Sequence, residues 1–390
     1  MRNFAVVLAK ECRDNVRDKR TILAAFSIAV LGPVMFVALM SLVLTSTLGE
    51  TRESFRLAIV GADHAPQLVA HLSQYNVELA PITTDDPRAA VGNGDEELVL
   101  VIGADYPERY RAGEVVSVTL VHDSSQMGSA RRNFSRVQQM IAQYAHKLGV
   151  LRIQLRGLDP ALLTPIQVAE IDTASPAARA VTILGMLPYL LVLVVFMGGF
   201  YLAIDATAGE REHGSLEPLL SQPVSRTELV LGKIAAACVF SAISTVLFLV
   251  SLALSVPFVP LHRVGMSLGI DPLTGLAMFG VSIPLIALGA ALLTAVASFA
   301  RSYKEAQTYL SIVILVPTLP LIITQLLGFT PGNLLMLVPS LSQATLITGL
   351  IKGEAVSLAH LGLSVVGTSA LAVLLAWLAV ALYRRERMLV

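Results

Sequence analysis

Catalysis requires acid, base or nucleophile groups held at fixed spacing. The densest run of ionisable residues here is Asp205, Glu210, Arg211, Glu212, His213, Glu217, Arg226 and Glu228. His213 beside Glu212 reads as a surface residue. No H-E-x-x-H accompanies it, no G-x-S-x-G falls inside an apolar run, and no pair of aspartates is buried in one. No G-x-x-x-x-G-K-[ST] phosphate loop occurs, so the chain carries no P-loop ATP site of its own. Seven scattered histidines suggest no metal site, and Cys12 and Cys238 imply no structural disulfide. These residue types argue against an intramembrane hydrolase and call for no metal or cofactor. What remains for the charged run is binding or mechanics.

The elements that must position that run are apolar. Of 390 residues, 55% are apolar and 14% charged, against roughly 25% charge in a soluble domain. Whole-chain mean hydropathy is +0.70. The charges cluster, leaving long uncharged runs, each sufficient at 1.5 Å per residue to cross about 30 Å of hydrocarbon. Six qualify as spans: Ile22 to Thr45, Val181 to Ile204, Leu229 to Val256, Leu276 to Phe299, Tyr309 to Leu327 and Leu363 to Tyr383. The stretch 328–360, interrupted by Pro331, Pro339, Gly349 and Gly353, fits short interfacial or re-entrant helices better than a seventh span. The expected fold is an all-α polytopic membrane protein of about six helices, with an α/β domain inserted between the first and second. The first apolar run is too long for a signal-peptide core and has no clean small-x-small site, so it is expected to stay as a span.

Lys and Arg beside the spans number fourteen on one side and two, Arg263 and Lys352, on the other short loops. By the positive-inside rule, both termini face the cytoplasm and residues 47–179 lie outside. The expected location is the cell inner (plasma) membrane. Zero net charge gives no global basic field for nucleic acid. Within 47–179, β-branched runs at Phe55 to Val60, Glu97 to Ile102 and Val115 to Val121 predict strands. Met127, Ala130, Phe134, Val137, Ile141, Tyr144, Leu148 and Leu151 recur at helical spacing. That pattern suits a helix packed on its own sheet, or a stalk helix pairing with a partner. Residues 1–20 predict an amphipathic elbow helix in the membrane interface, with Phe4, Val7, Leu8 and Cys12 on one face. Lys10, Glu11, Arg13, Asp14 and Arg17 crowd the rest of it. The first span follows over 21–46, and 180–390 form a five-helix transmembrane domain.

Within the loop 205–229, Gly214 and Ser215 open a short helix that Ser215 can cap, with Leu216, Leu219 and Leu220 as its apolar face. Pro223 stops it. Ser225 and Glu228 have the spacing of a capping box for the third span. A short helix flanked by two spans is a mechanical handle, since a partner gripping it would move both.

This stretch resembles the cytoplasmic loop of ABC-2-type export permeases, above all the sodium-efflux NatB-like branch. The matching residues are Thr207 to Glu212, Gly214 to Glu217, Leu219, Leu220, Pro223 to Arg226, Glu228, Leu229, Gly232 and Lys233. Lys10 to Arg20 is similar to the elbow helix of the same family. The resemblance implies a permease subunit of an ATP-driven exporter, powered by a separate ABC ATPase subunit and facing a second permease subunit, itself or a paralogue. It implies an ATPase coupling loop of Gly209, Glu210, Arg211, Glu212, Gly214, Ser215, Leu216, Glu217, Leu219, Leu220, Pro223, Arg226 and Glu228. On that reading Glu210, Glu212 and Glu217 meet basic groups of the ATPase, and Arg211 or Arg226 acidic ones.

The cargo is less legible. No ionisable residue lies well inside a span, and Ser241, Ser244, Thr245, Ser282, Thr294, Ser311 and Thr318 are mild polar groups of the kind that bond to their own backbone. Sodium, drug-like and lipid-like cargo all fit. The competing reading is a non-transporting membrane sensor or scaffold with an outer binding domain. Co-purification of an ATP-binding subunit separates the two.

Overall fold

The structure, a computed structural model, describes residues 2–50, 54–84, 86–123, 129–163, 166, 175–176, 179–180, 185–215, 218–219, 221–261, 266, 268–327 and 332–384. It divides into two units, Met1–Leu44 with Thr173–Val390, and Thr45–Asp172.

The inserted unit is the extracytoplasmic α/β domain. Its strands β1 (Phe55–Val60), β2 (Val77–Pro81), β3 (Leu98–Ile102) and β4 (Val118–His122) form one sheet in the order β2-β1-β3-β4. β1 pairs in parallel with β2 and β3, while β4 runs antiparallel to β3 with Leu100 opposite Leu120. Parallel neighbours need helical crossovers, and short helices at Pro66–Leu72 and Pro87–Gly92 supply them. The long helix Ser129–Leu155 buries Ala130, Val137 and Met140, with Phe134, Ile141 and Tyr144 against Leu57, Ile59, Leu98 and Leu100. It therefore packs on its own sheet. Leu151, read as part of that apolar face, is exposed, and Met127 lies outside the described residues. β2 escapes the sequence reading because Glu78 and Pro81 dilute its apolar pattern.

Among the described residues the other unit holds six helices long and apolar enough to cross a membrane: Thr21–Thr45, Leu187–Glu212, Arg226–Phe258, Pro272–Ala297, Tyr303–Thr324 and Leu358–Arg384. They are numbered as spans one to six. Span two is the most enclosed, while spans one, five and six expose most of their surface. Gly198 and Gly199 of span two lie directly on Ala237, Ser241 and Ser244 of span three. A methyl at Gly198 would sit 2.7 Å from the Ser244 Cβ. Small residues permit this approach between membrane helices. Thr245, Ser282, Ser311 and Thr318 donate to their own helix, as expected. Ser244 instead donates to the Ala25 carbonyl of span one at 3.1 Å.

The largest departures from the expected bounds are in spans five and two. Span five comprises two helices, Tyr303–Val313 and Leu315–Leu327, starting where Ser302 caps the Glu305 N–H. Pro317 has no N–H to offer the Val313 carbonyl, so the helix steps at Ile314. Span two does not end at Ile204. Its helix continues through a wide π-type turn, Asp205–Gly209, into Glu210–Glu212. Nothing in 205–213 breaks a helix, and the Thr207 hydroxyl bonds back to the Ala203 carbonyl at 2.5 Å. Within 332–360 lie a 3-10 turn, Leu335–Leu337, and a buried helix, Leu341–Lys352.

Candidate coupling site at one end of the helix bundle

The elbow helix, Arg2–Arg17, lies across the start of span three. Gly232 makes this possible, since a methyl there would stand 2.6 Å from the Val7 side chain. The next residue, Lys233, is 1% exposed, and its ammonium lies 2.9 Å from Glu11 Oε1 and 2.6 Å from Glu210 Oε2. Lys10 closes the group from the elbow, 2.7 Å from Glu210 Oε1 and 3.1 Å from Glu11 Oε1. Asp14 stands at its exposed rim, 3.9 Å from Lys10. Two ammonium and two carboxylate groups thus alternate and cancel, the condition under which buried charge is tolerable. Burial alone would lower the Lys10 pKa. The Glu210 hydrogen bond and the Glu11 charge outweigh it and hold the ammonium above the usual lysine range.

Sequence reasoning put Glu11 on the polar face of the elbow and took Lys233 as the last residue of the loop motif, with no partner inside the chain. Glu11 is 2% exposed, with Asn15 buried one turn on. Glu11, Asn15 and the apolar Val7 share the face that meets span three, while Arg13 and Arg17 are exposed. The spacing Val7, Glu11, Asn15 was a signal available in the sequence, because i, i+4, i+8 is one face of a helix.

The end of span two reaches other helices as well. The Arg211 guanidinium donates to the carbonyls of Ser298 (3.2 Å) and Ala300 (2.6 Å), just beyond span four. Free carbonyls at a helix C-terminus favour a cation. Glu212 accepts the Tyr303 N–H at 2.6 Å, at the N-terminus of span five, where an anion is favoured. Gly214 then terminates the helix in a left-handed conformation. Its N–H reaches the Arg211 carbonyl at 3.1 Å, and the Ser215 N–H reaches the Glu210 carbonyl at 2.9 Å, a Schellman closure. The Ser215 hydroxyl also donates to the Glu210 carbonyl.

The far root of the loop is fixed likewise. Arg226 donates to the Tyr383 and Arg384 carbonyls at the end of span six, at 2.9 and 3.1 Å. Ser225 caps span three by accepting the Glu228 N–H, and its hydroxyl donates to the Glu228 carboxylate at 3.0 Å. Between the two roots, Pro218 and Ser221 to Pro223 are exposed and Leu219 is half-buried. The expected contacts of Leu216, Glu217 and Leu220 lie outside the described residues.

Of the residues singled out in the sequence, the structure brings Lys10, Glu11 and Glu210 together, and sends Arg211, Glu212 and Arg226 each to a different helix end. Every one of these ends belongs to one face of a six-span bundle. Among the described residues no group of three or more His, Cys, Asp or Glu is placed to hold a metal ion.

Six spans, an α/β domain inserted between the first two and a loop clamped at both roots define a multi-pass membrane protein. The sequence matches the family described as ABC-2 family transporter protein over residues 24–381, and the chain belongs to that family. It is 29% identical over 322 residues to the ABC transporter permease protein NatB of Bacillus subtilis (strain 168), an alignment covering 81% of each chain. The chain is thus a permease-type protein of the ABC-2 superfamily and a component of a transport system.

Proposed function

We propose that the chain is the transmembrane subunit of an ATP-driven exporter, and that a separate ABC ATPase subunit grips residues 213–225. The observation that carries this reading is the double clamp at the roots of that segment. Glu210, Arg211 and Glu212 on one side tie it to the elbow and to spans three, four and five. Arg226 on the other ties it to span six. A displacement of the exposed segment is transmitted to each of them at once, because charge-assisted hydrogen bonds to helix ends resist stretching.

On this reading Glu210, Arg211 and Glu212 transmit force inside the permease, and the grip itself falls on Ser215 to Pro223. The elbow, through Lys10 and Glu11, carries motion into the membrane interface. Both termini face the cytosol of a plasma or inner membrane, in line with the Lys and Arg distribution. A second permease subunit, the same chain or a paralogue, covers part of the exposed surface of spans one, five and six.

The test is co-purification from detergent extracts followed by reconstitution. An ATP-binding subunit should accompany the wild-type chain, and its ATPase rate should respond to cargo in a screen of ions, lipids and drug-like molecules. Glu217→Ala and Leu220→Asp should lower recovery of the ATPase while membrane insertion stays intact. A purified complex with no nucleotide-binding chain would sink the proposal and favour the sensor reading.

A further inference from the structure

Between spans one and three lies a groove of about 660 Å³, running from residue 30 to 41 on one side and from 247 to 258 on the other. The two spans run in the same direction, since Ser244 bonds to Ala25 and Ser251 to Val30. The groove therefore occupies only their second halves, remote from Lys233 and the coupling site. Its walls are apolar, with Val34 and Ala38 facing Val250, Leu254 and Phe258.

We propose that this groove binds one acyl chain of a bilayer phospholipid. Three observations select that occupant. The eleven residue steps from 30 to 41 extend about 16 Å, close to half of the ~30 Å hydrocarbon core, so the groove has the length of one leaflet. Its volume falls in the ~300–1,000 Å³ range of small-molecule sites. Two of its three hydroxyls already give their proton to a backbone carbonyl. Ser251 donates to the Val30 carbonyl at 2.7 Å, Ser255 donates to the Ser251 carbonyl, and Ser41 is itself partnered. No charged side chain lines the groove to hold an ion, and a peptide or a sugar would find few donors there, whereas a hydrocarbon chain replaces only other hydrocarbon. The chain acts as a wedge between span one, which continues from the elbow, and span three, which carries Lys233.

The full-length protein is reconstituted in phosphatidylcholine vesicles whose acyl chains carry a photoactivatable diazirine, and adducts are mapped by mass spectrometry. Adducts on 30–41 and 247–258 should exceed several-fold those on Val366, Val373 and Trp377 of span six, although these are more exposed than most of the groove lining. Ala38→Phe, and independently Leu254→Trp, should bring groove labelling down to the span-six level and leave span six unchanged, which also reports a folded bundle. Even labelling of all exposed spans overturns the proposal, as does groove labelling that both variants leave intact. Ala38→Cys in a background without Cys12 and Cys238 addresses the other occupant. An oxidised covalent dimer in vesicles would put a second copy of the chain in the groove and overturn the lipid assignment, whereas a monomer agrees with it.

Discussion

Glu11 and Lys233 are 222 positions apart in the chain, yet their charged groups meet at 2.9 Å with both side chains almost wholly enclosed. This contact binds the elbow helix to span three, and Glu210 extends it to span two.

Lys233→Met leaves Glu11 and Glu210 facing each other in a buried site with only Lys10 between them. Breaking a buried ion pair from one side costs about 3–5 kcal/mol, so thermal unfolding in detergent should shift markedly downward. The paired variant Glu11→Gln with Lys233→Met should be much less destabilised than the sum of its parts, since the two groups belong to one network. Additive losses would show that the cluster is not cooperative.

Gly232 predicts a steric effect at the same junction. Gly232→Val places side-chain atoms where Val7 sits and should cost about 1–3 kcal/mol, the range for overpacking. Val7→Ala in the same chain should recover part of it. Protease accessibility of the elbow in membranes is a direct readout, with cleavage faster in Gly232→Val than in the wild type or the double variant.

Cys12 reports on the seating of the elbow. Burial raises its thiol pKa and the neighbouring Glu11 carboxylate raises it further, so less thiolate is present at neutral pH than for a free cysteine. In a Cys238→Ser background, maleimide should modify Cys12 slowly at pH 7 and faster as pH rises. Adding Lys233→Met, which loosens the elbow, should raise the neutral rate. An equal rate in both would disconnect Cys12 from the cluster.

Gln343 holds the helix Leu341–Lys352 to span six. Its amide donates to Ser364 (3.1 Å) and Thr368 (2.7 Å), and its carbonyl accepts the Ser340 N–H (2.7 Å) at a residue with φ of 69°. Gln343→Leu takes this partner from the buried Ser340 N–H and Thr368 hydroxyl, at about 1–3 kcal/mol for each unsatisfied group, while Ser364 keeps its bond to Ser342. The melting temperature should fall, while binding of an ATPase at the opposite face should be unaffected.

The fold was largely legible because each span is a long apolar run and the outer domain falls in one gap between two of them. Boundaries were less so. A proline inside span five and a π-type turn at the end of span two change backbone pairing without changing hydropathy. The site was half legible. Glu210, Arg211 and Glu212 stood out as a charged group, but the resemblance pointed them toward a partner, whereas they bond to Lys233, to the end of span four and to Tyr303. Those pairings join residues tens to hundreds of positions apart, and periodicity carries no information at that range. Lys233 was hidden for a further reason. A lysine at the edge of a span reads as a snorkelling anchor unless its counter-charges are known.

The four charges joining the elbow to spans two and three sum to zero. An electric field across the membrane acts on a moving body in proportion to its net charge, about 2.3 kcal/mol per elementary charge per 100 mV. A stroke that shifts this end of the bundle as a unit therefore moves no net charge through the field at the cluster, and its energetics there are independent of membrane voltage.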